Sequence, residues 1–264
     1  MTMSVAKVTI INKGNIMNAV LIQQLADLRL SAVIENLSLQ EAQPHLYNEL
    51  SFHERLSLLL AQELTTREQR KIDRLVKQAK LRLAAHPTQI DYRASRGIEK
   101  STISSLLEGH WLKHHQNLIF TGATGCGKTY LGCAIGHYFC QQGIAVRYFR
   151  MKGLQEMLSQ AHGDGSYPRF LTQLNKTPIL ILDDWGMEIL TTQDRSDLLD
   201  IIDARHQQGS LLIMSQLPVS KWHELIGEAT YADAIMDRLI HCSLRFELQG
   251  ESMRKKITDL TELA

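Results

Sequence analysis

The sequence predicts an α/β fold in which a five-stranded, mostly parallel sheet is preceded by a small all-helical domain. Short apolar segments alternate with helical segments over the rear half of the chain, which is typical of a parallel sheet with helices on both faces. The front part shows only helical periodicity. The chain has 264 residues, enough for one α/β domain of about 150 residues and a smaller second domain.

The first predicted strand, 118–121, runs into a glycine-rich motif that matches the phosphate-binding pattern G-x-x-x-x-G-K-[ST]. Its residues are Gly122, Ala123, Thr124, Gly125, Cys126, Gly127, Lys128 and Thr129. The glycines let backbone N–H groups point at the α- and β-phosphates of a nucleotide, and the lysine brings positive charge to the β- and γ-phosphates. The threonine offers a hydroxyl to Mg²⁺ and begins the predicted helix 128–141. The motif therefore predicts a site for ATP and Mg²⁺.

A second motif follows at the predicted strand 179–183, where four apolar residues precede Asp183 and Asp184. A continuous apolar run indicates a parallel strand covered on both faces, and ligands bind at the carboxyl ends of such strands. Asp183 is the predicted Mg²⁺ partner, directly or through water. Asp184 is predicted to orient or deprotonate the attacking water.

The remaining strands and helices complete the alternation. Strands are predicted at 144–149, 211–215 and 244–248, and helices at about 151–160, 191–206 and about 219–226. The strand 211–215 ends in Ser215 and Gln216. Either side chain could contact the γ-phosphate or the attacking water, and a plain strand-to-turn role is the alternative. Gly163 to Ser166 is predicted to form a flexible loop.

The front part is predicted to be a helical domain that binds DNA or a partner. Ser51 and Glu54 fit the capping box that begins a helix, and Ser38 and Glu41 are a second candidate start. The helical pattern ends at His86-Pro87, which places the predicted boundary in residues 84–92. The predicted organisation is an extension at 1–16 that is expected to be poorly ordered, a helical domain at 17–85, a linker at 86–116 and an ATPase domain at 117–264.

Composition sets further limits. No apolar run approaches the ~18 residues of a membrane span, and the start of the chain lacks the pattern of a signal peptide. The four cysteines lack metal-ligand spacing, so reduced thiols in a cytoplasmic protein are predicted. The net charge is +1, but residues 1–116 carry 15 basic and 11 acidic side chains, so the basic surplus lies in the front part.

Part of that surplus forms a basic stripe on the predicted helix after Leu64. Its members fall at i, i+3, i+4, i+7 and i+10 and are Arg67, Arg70, Lys71, Arg74 and Lys77. A basic face of about 15 Å matches the phosphate spacing of a nucleic-acid backbone. A solvated helix face is the alternative, and it is the usual explanation of a charge run.

Two arginine motifs occur near the end of the chain, Asp237-Arg238-Leu239 and Gly250-x-Ser252-x-Arg254. An arginine placed against a γ-phosphate stabilises charge in the transition state. From the residues alone, a surface or structural role is the commoner explanation of each arginine.

The order of these motifs resembles the IstB-like AAA+ ATPases, the helper proteins of a two-gene insertion-sequence family. The resemblance covers about residues 17–260. It implies a P-loop AAA+ core that hydrolyses ATP, and binding of double-stranded DNA with little sequence preference. It also implies a homo-oligomer that assembles with ATP, shares its ATP sites between subunits and activates a partner transposase of the IstA type at the target site.

The resemblance further implies roles for single residues. Arg238 would be the arginine finger for ATP held by a neighbouring subunit, and Arg254 would be the second sensor for ATP of its own subunit. The segment 152–176 corresponds to a helical insert that contacts DNA in related initiator-type ATPases, which makes Lys152 and Arg169 candidate DNA contacts.

The chain departs from the AAA+ pattern in two places. Asp184 stands where most members carry glutamate, which predicts slow turnover that DNA or the transposase stimulates. The sequence also ends ten residues after Arg254, so a truncated lid domain is expected.

Two alternative functions remain open on the sequence. A replicative helicase loader of the DnaC-like type shares the ATPase core and the Asp-Asp pair, prefers single-stranded DNA and grips a helicase with its front helices. A nucleotide-gated scaffold would bind ATP and barely hydrolyse it. The Gly250-x-Ser252-x-Arg254 ending and the basic stripe favour the transposition helper.

Overall fold

The computed structural model describes residues 18–92 and 97–250 of the protein. The chain divides into two compact units between Lys71 and Ile72, inside the helix α4 (Phe52–Ala79). The boundary predicted in residues 84–92 therefore lies within the second unit. The extension predicted at 1–16 lies outside the described residues.

The first unit is helical, as the sequence predicts. After the helical residues 18–27 (α1), it contains α2 (Ser31–Ala42), α3 (Pro44–Tyr47) and the first part of α4. The predicted capping box at the start of α4 is present. The N–H of Ser51 donates to Glu54 Oε2 at 2.7 Å, and the N–H of Glu54 donates to Ser51 Oγ at 3.3 Å.

The second predicted helix start, at Ser38, is wrong. Ser38 lies inside α2, where its hydroxyl donates to a carbonyl one turn earlier at 3.0 Å. The helix begins at Ser31. Its first free N–H groups, those of Ala32 and Val33, donate to the buried carboxylate of Glu63 at 2.9 and 3.3 Å. The cap of this helix is therefore the side chain of Glu63, which is distant in sequence, and not a residue next to the helix start as the sequence pattern predicted.

The second unit is built on one sheet of five strands. The strands are β1 (Asn117–Gly122), β2 (Val146–Arg150), β3 (Ile179–Trp185), β4 (Ser210–Ser215) and β5 (Ser243–Leu248). Their spatial order is β2-β3-β4-β1-β5, and every neighbouring pair is parallel. This arrangement confirms the predicted α/β class. It also brings the carboxyl ends of β1, β4 and β3 side by side at one edge of the sheet.

Helices cover both faces of this sheet. They are α5 (Lys100–Leu107), α6 (His110–Lys113), α7 (Lys128–Gln141), α8 (Met151–Asp164), α9 (Tyr167–Asn175), α10 (Thr192–Arg205), α11 (Trp222–Ile226) and α12 (Ala229–Ile240). The side chains of β3 alternate between two hydrophobic clusters. Ile179 and Ile181 join the cluster that contains α7, whereas Leu180 and Leu182 join the one that contains α8, α10 and α12. Burial on both faces explains the continuous apolar run.

The segment between β2 and β3 differs from its prediction. α8 continues to Asp164, Gly165 closes it with a φ of +75°, and α9 begins at Tyr167. The flexible loop predicted at Gly163 to Ser166 is therefore a tight turn between two helices. Glycine suits the position because it adopts a left-handed φ at a helix end at little cost.

The end of α4 also differs. Its last residue is Ala79, and Lys80 follows with a left-handed φ of +51°. Pro87, which was expected to end the helical pattern, begins a short 3-10 turn, Pro87–Gln89. The predicted linker 86–116 carries α5 and α6, and the sequence prediction omits α12.

The cysteines and the lengths of the helices relate to two expectations drawn from composition. All four cysteines lie in the described part of the chain and are free thiols, three of them buried and Cys242 exposed. Among the helices of that part, none combines the length and the apolar character needed to cross a membrane.

Candidate functional site

The loop 122–129 leaves β1 and opens α7 as the motif requires. Gly122, Gly125 and Gly127 have φ values of +143°, +86° and +99°. A side chain cannot be added at Gly122, because a Cβ there would lie 2.2 Å from the carbonyl oxygen of Leu248 on β5. Gly127 is the N-cap of α7, so the loop ends at a helix N-terminus. Backbone N–H groups at such a turn form a cradle for an anion.

Lys128 is held inside this cradle and is 8% exposed. Its ammonium donates to the carbonyl oxygens of Gly122 at 2.6 Å and Ala123 at 2.8 Å. A buried ammonium requires such acceptors, and phosphate oxygens can take their place. The loop therefore carries a positive charge that is free to exchange partners.

Asp183 meets the loop across the sheet. It is 2% exposed, and its Oδ2 accepts hydrogen bonds from Thr129 Oγ1 at 2.8 Å and from the hydroxyl of Tyr148 at 2.7 Å. Burial and the neighbouring carboxylate of Asp183 raise the pKa of Tyr148, so the phenol stays neutral and remains a donor. A carboxylate beside a threonine hydroxyl is a ligand pair that suits Mg²⁺.

Asp184 has a left-handed φ of +58°, which is uncommon for a residue with a side chain. Its N–H donates to Asp183 Oδ1 at 2.9 Å. Its Oδ2 accepts from Arg150 Nε at 2.8 Å and lies 3.9 Å from Arg82 Nη1. The hydrogen bond with Asp184 raises the pKa of Arg150. The second acid is thus held at the mouth of the site by two cations.

The two candidates at the end of β4 are placed differently. The hydroxyl of Ser215 is fully buried, donates to the carbonyl of Trp185 at 2.8 Å and accepts from the N–H of Leu217 at 3.1 Å. Gln216 reaches the loop, where its Oε1 accepts from Thr124 Oγ1 at 2.5 Å. Gln216 is therefore the member of the pair that faces the cradle.

One cavity gathers these groups. Its lining residues are Arg82, Leu83, Thr124, Gly125, Gly127, Lys128, Thr129, Tyr130, Asp183, Asp184, Met214 and Gln216. No group of three or more His, Cys, Asp or Glu side chains suited to a metal occurs in residues 18–92 and 97–250. The oxygen donors of Asp183 and Thr129, 2.8 Å apart, fit a Mg²⁺ ion that takes its other ligands from water and substrate phosphates, which is how this ion commonly binds.

Arg238 lies on α12 and does not line this cavity. Its Nε donates to Asp203 Oδ1 at 2.6 Å, and its Nη1 donates to the carbonyl of Ala234 at 3.0 Å. The side chain is 32% exposed. Arg254 lies outside the described residues.

The predicted DNA-contacting side chains are all exposed, and three of them have a partner within the first unit. Arg67 pairs with Glu63 at 2.8 Å, Arg70 Nη1 donates to Ser31 Oγ at 2.8 Å, and Lys71 lies 3.5 Å from an oxygen of Glu68. The other four are Arg74 and Lys77 on α4, Lys152 on α8 and Arg169 on α9.

Three residues of the site are absent from the sequence prediction: Arg82, Tyr148 and Arg150. Two of them lie on β2, where Arg150 is in register with Asp183. Parallel neighbouring strands end at the same edge of a sheet. The order of the strands, if it could be predicted, would therefore identify Arg150 as a residue of the site. No pattern in the sequence marks Arg82.

Comparisons with known proteins agree with this geometry. The model of the family described as IstB-like ATP binding protein matches residues 23–261. The insertion sequence ATP-binding protein y4pL of Sinorhizobium fredii is 46% identical over 207 residues, which are 78% of this chain and 84% of that protein. The insertion sequence IS21 ATP-binding protein of Pseudomonas aeruginosa is 30% identical over 237 residues, 90% of this chain and 88% of that protein.

Solved structures with the same fold include the DnaC helicase loader, with a TM-score of 0.56 and 20% identity over 65% of this chain and 100% of that chain. The replication initiator DnaA bound to AMPPCP and single-stranded DNA has a TM-score of 0.56 and 17% identity over 69% of this chain and 56% of that chain. At these identities the likeness concerns the fold alone. It agrees with the predicted α/β core built on a five-stranded parallel sheet.

Proposed function

The chain belongs to the family of IstB-like ATP-binding proteins, and we propose that it is an ATP-dependent transposition helper. It binds duplex DNA with little sequence preference, assembles with ATP, and recruits and activates its transposase at the target site. The observation that carries the nucleotide part is the contact between Thr129 and Asp183 at 2.8 Å beside the buried Lys128, which joins both motifs in one cavity. The names of the insertion-sequence relatives support the transposition part.

Each of these side chains has a separate role in ATP hydrolysis. Lys128 exchanges its loop carbonyls for β- and γ-phosphate oxygens, and Thr129 and Asp183 hold Mg²⁺. When bound by these residues, the ion would supply positive charge against the phosphates. Asp184 orients or deprotonates the attacking water, and Gln216 contacts the terminal phosphate. Arg238, which lies outside its own cavity, acts on the site of a neighbouring subunit.

Turnover is slow in the isolated protein for two reasons. Asp184 is one methylene shorter than the usual glutamate, so it reaches less far toward a water. Its carboxylate is also engaged by Arg150 at 2.8 Å. DNA or the transposase stimulates hydrolysis by releasing this pair, and hydrolysis then switches or disassembles the complex.

Two variants separate an ATPase switch from a scaffold that only binds nucleotide. Lys128→Ala is expected to weaken ATP binding at least about tenfold, because a charge-assisted contact to phosphate is lost. Asp184→Asn is expected to keep ATP binding and to lower hydrolysis about a hundredfold, the contribution typical of a general base. A labelled ATP analogue measures binding, and phosphate release measures hydrolysis.

The same variants are then assayed for transposase activation, with Asp233→Asn, an exposed carboxylate on α12, as the control. If the protein is a switch that needs hydrolysis, both Lys128→Ala and Asp184→Asn are expected to lose transposase activation or its repetition over several cycles. If Asp184→Asn activates the transposase as well as the unchanged protein through repeated cycles, the protein is a nucleotide-gated scaffold.

Neutralising the exposed basic residues at the end of α4 tests the DNA contact. Arg74→Ala with Lys77→Ala is expected to weaken duplex binding uniformly across sequences and to reduce the slope of log affinity against log salt by about two. Arg70 is left unchanged because it contacts Ser31, so its loss would also disturb the first unit. Fluorescence anisotropy over a salt series measures the slope.

A double variant at Lys113 and Arg245, two exposed residues elsewhere, removes the same charge and serves as the control. Equal slopes for both double variants would mean that Arg74 and Lys77 belong to an ordinary solvated helix face.

A further inference from the structure

A short connecting segment, residues 80–85, joins α4 to the ATPase core within the second unit. Ala79, just before the segment, and Ala85, its last residue, are fully buried. The left-handed φ of Lys80 turns the chain away from the helix axis. This turn brings Arg82 and Leu83 into the lining of the nucleotide cavity. Arg82, which lies outside both the phosphate-binding loop and the acidic motif, therefore faces the site.

The connecting segment packs against the helix that carries the phosphate-binding lysine. Leu81 contacts the hydrophobic cluster that contains Cys133 of α7. Cys133 is fully buried, and burial raises the pKa of its thiol, whereas the nearby backbone of Leu83 and Arg82 lowers it in part. Arg82 therefore lies beside the helix that begins at Lys128.

The guanidinium of Arg82 contacts both acids of the site. Its Nη1 lies 3.9 Å from Asp183 Oδ2 and 3.9 Å from Asp184 Oδ2. Arg150, a second arginine at the site, contacts Asp184. Two adjacent carboxylates, one of them 2% exposed, repel each other and any approaching phosphate. Arg82 is the described cation that touches both of them.

We propose that Arg82 is a built-in counter-cation for the acid pair. It supplies positive charge to Asp183 and Asp184 while no metal ion is bound, and a bound Mg²⁺ ion would take over that role. The inference rests on the proposed function, since it concerns the same ATP site. The connecting segment would thereby allow ATP to bind before Mg²⁺ is in place.

The contribution of Arg82 to ATP binding depends on whether Mg²⁺ is bound. Without Mg²⁺, the terminal phosphate of ATP meets two carboxylates that only the protein can neutralise, so the charge of Arg82 counts fully. With Mg²⁺, the ion neutralises the same carboxylates and the charge of Arg82 matters less. Loss of Arg82 therefore weakens ATP binding more in EDTA than in Mg²⁺.

The test measures dissociation constants of fluorescent ATP and ADP analogues for the full chain, in EDTA and in Mg²⁺. Arg82→Ala is expected to weaken ATP binding roughly tenfold in EDTA and no more than about threefold in Mg²⁺, a range set by one partly exposed charge near two others. Arg82→Lys keeps the charge and is expected to restore most of the affinity. Arg245→Ala, an exposed arginine on β5, is the matched control, and thermal unfolding checks that each variant folds.

The outcomes are distinguishable. The proposal is supported if the unmodified protein binds ATP in Mg²⁺ and if Arg82→Ala loses clearly more ATP affinity in EDTA than in Mg²⁺. An equal change in both conditions, or none in either, overturns it and leaves the proposed ATP site intact. A failure of the unmodified protein to bind ATP even with Mg²⁺ overturns the proposed function itself.

Discussion

Arg238→Ala is expected to retain ATP binding and to lose about a thousandfold in hydrolysis rate, the effect typical of a missing arginine finger. The reason is positional. Arg238 lies on α12 outside the cavity of its own chain, so its removal leaves Lys128, Thr129 and Asp183 untouched. Phosphate release measures the rate, and a labelled ATP analogue verifies that binding persists.

Mixing tests whether the site is shared. Asp183→Ala protein has lost its own Mg²⁺ partner but still carries Arg238, whereas Arg238→Ala protein has an intact cavity. An equimolar mixture is expected to recover part of the hydrolysis, because each Asp183→Ala subunit can supply an arginine to a neighbour. Asp203→Ala, which removes the partner held at 2.6 Å by Arg238, is the control for a purely structural role. No recovery in the mixture would argue against a site shared between subunits.

Arg205→Leu is expected to destabilise the ATPase unit by about 3–5 kcal/mol, because several buried carbonyl groups lose their hydrogen-bond donor together. The Arg205 side chain is 1% exposed, and burial lowers its pKa to about 10. Its guanidinium nitrogens donate to four carbonyl oxygens, those of Leu174 at 2.6 Å, Thr177 at 2.8 Å, Pro178 at 3.1 Å and Ser210 at 3.0 Å. The substitution leaves all four acceptors buried without this donor.

Urea unfolding followed by circular dichroism measures this loss. Arg169→Ala removes an exposed arginine from the neighbouring helix α9 and is expected to change stability by no more than about 0.5 kcal/mol. If Arg205→Leu lowered the free energy of unfolding by as little as this control, the four hydrogen bonds would not be what stabilises the packing of α9 against the starts of β3 and β4.

Several features of the fold follow from local patterns and were predictable. The glycine spacing of 122–129 predicts the loop between β1 and α7, and the apolar run before Asp183 predicts a strand covered on both faces. The helix 128–141 agrees with α7 in both bounds. Each of these depends on a pattern within about ten residues, so no knowledge of the tertiary structure is needed.

Other features depend on contacts between distant residues. Arg82, Arg150 and Arg205 look like surface arginines in the sequence, and only the packing of the sheet brings them to the acids or to the carbonyl groups. The same holds for α2, whose start is capped by Glu63 from another helix. Ser215 and Gln216 are adjacent and equally polar, yet one is buried in the strand end and the other reaches the loop.

The measurement that tests the central claim most directly is the binding of the purified protein to random duplex and to single-stranded DNA, with and without ATP and Mg²⁺, at one stated salt concentration. Tight duplex binding that requires ATP and ignores sequence is the result expected of a transposition helper. A clear preference for single strands, or duplex binding unaffected by ATP, would contradict it. The first of these results would favour a helicase loader.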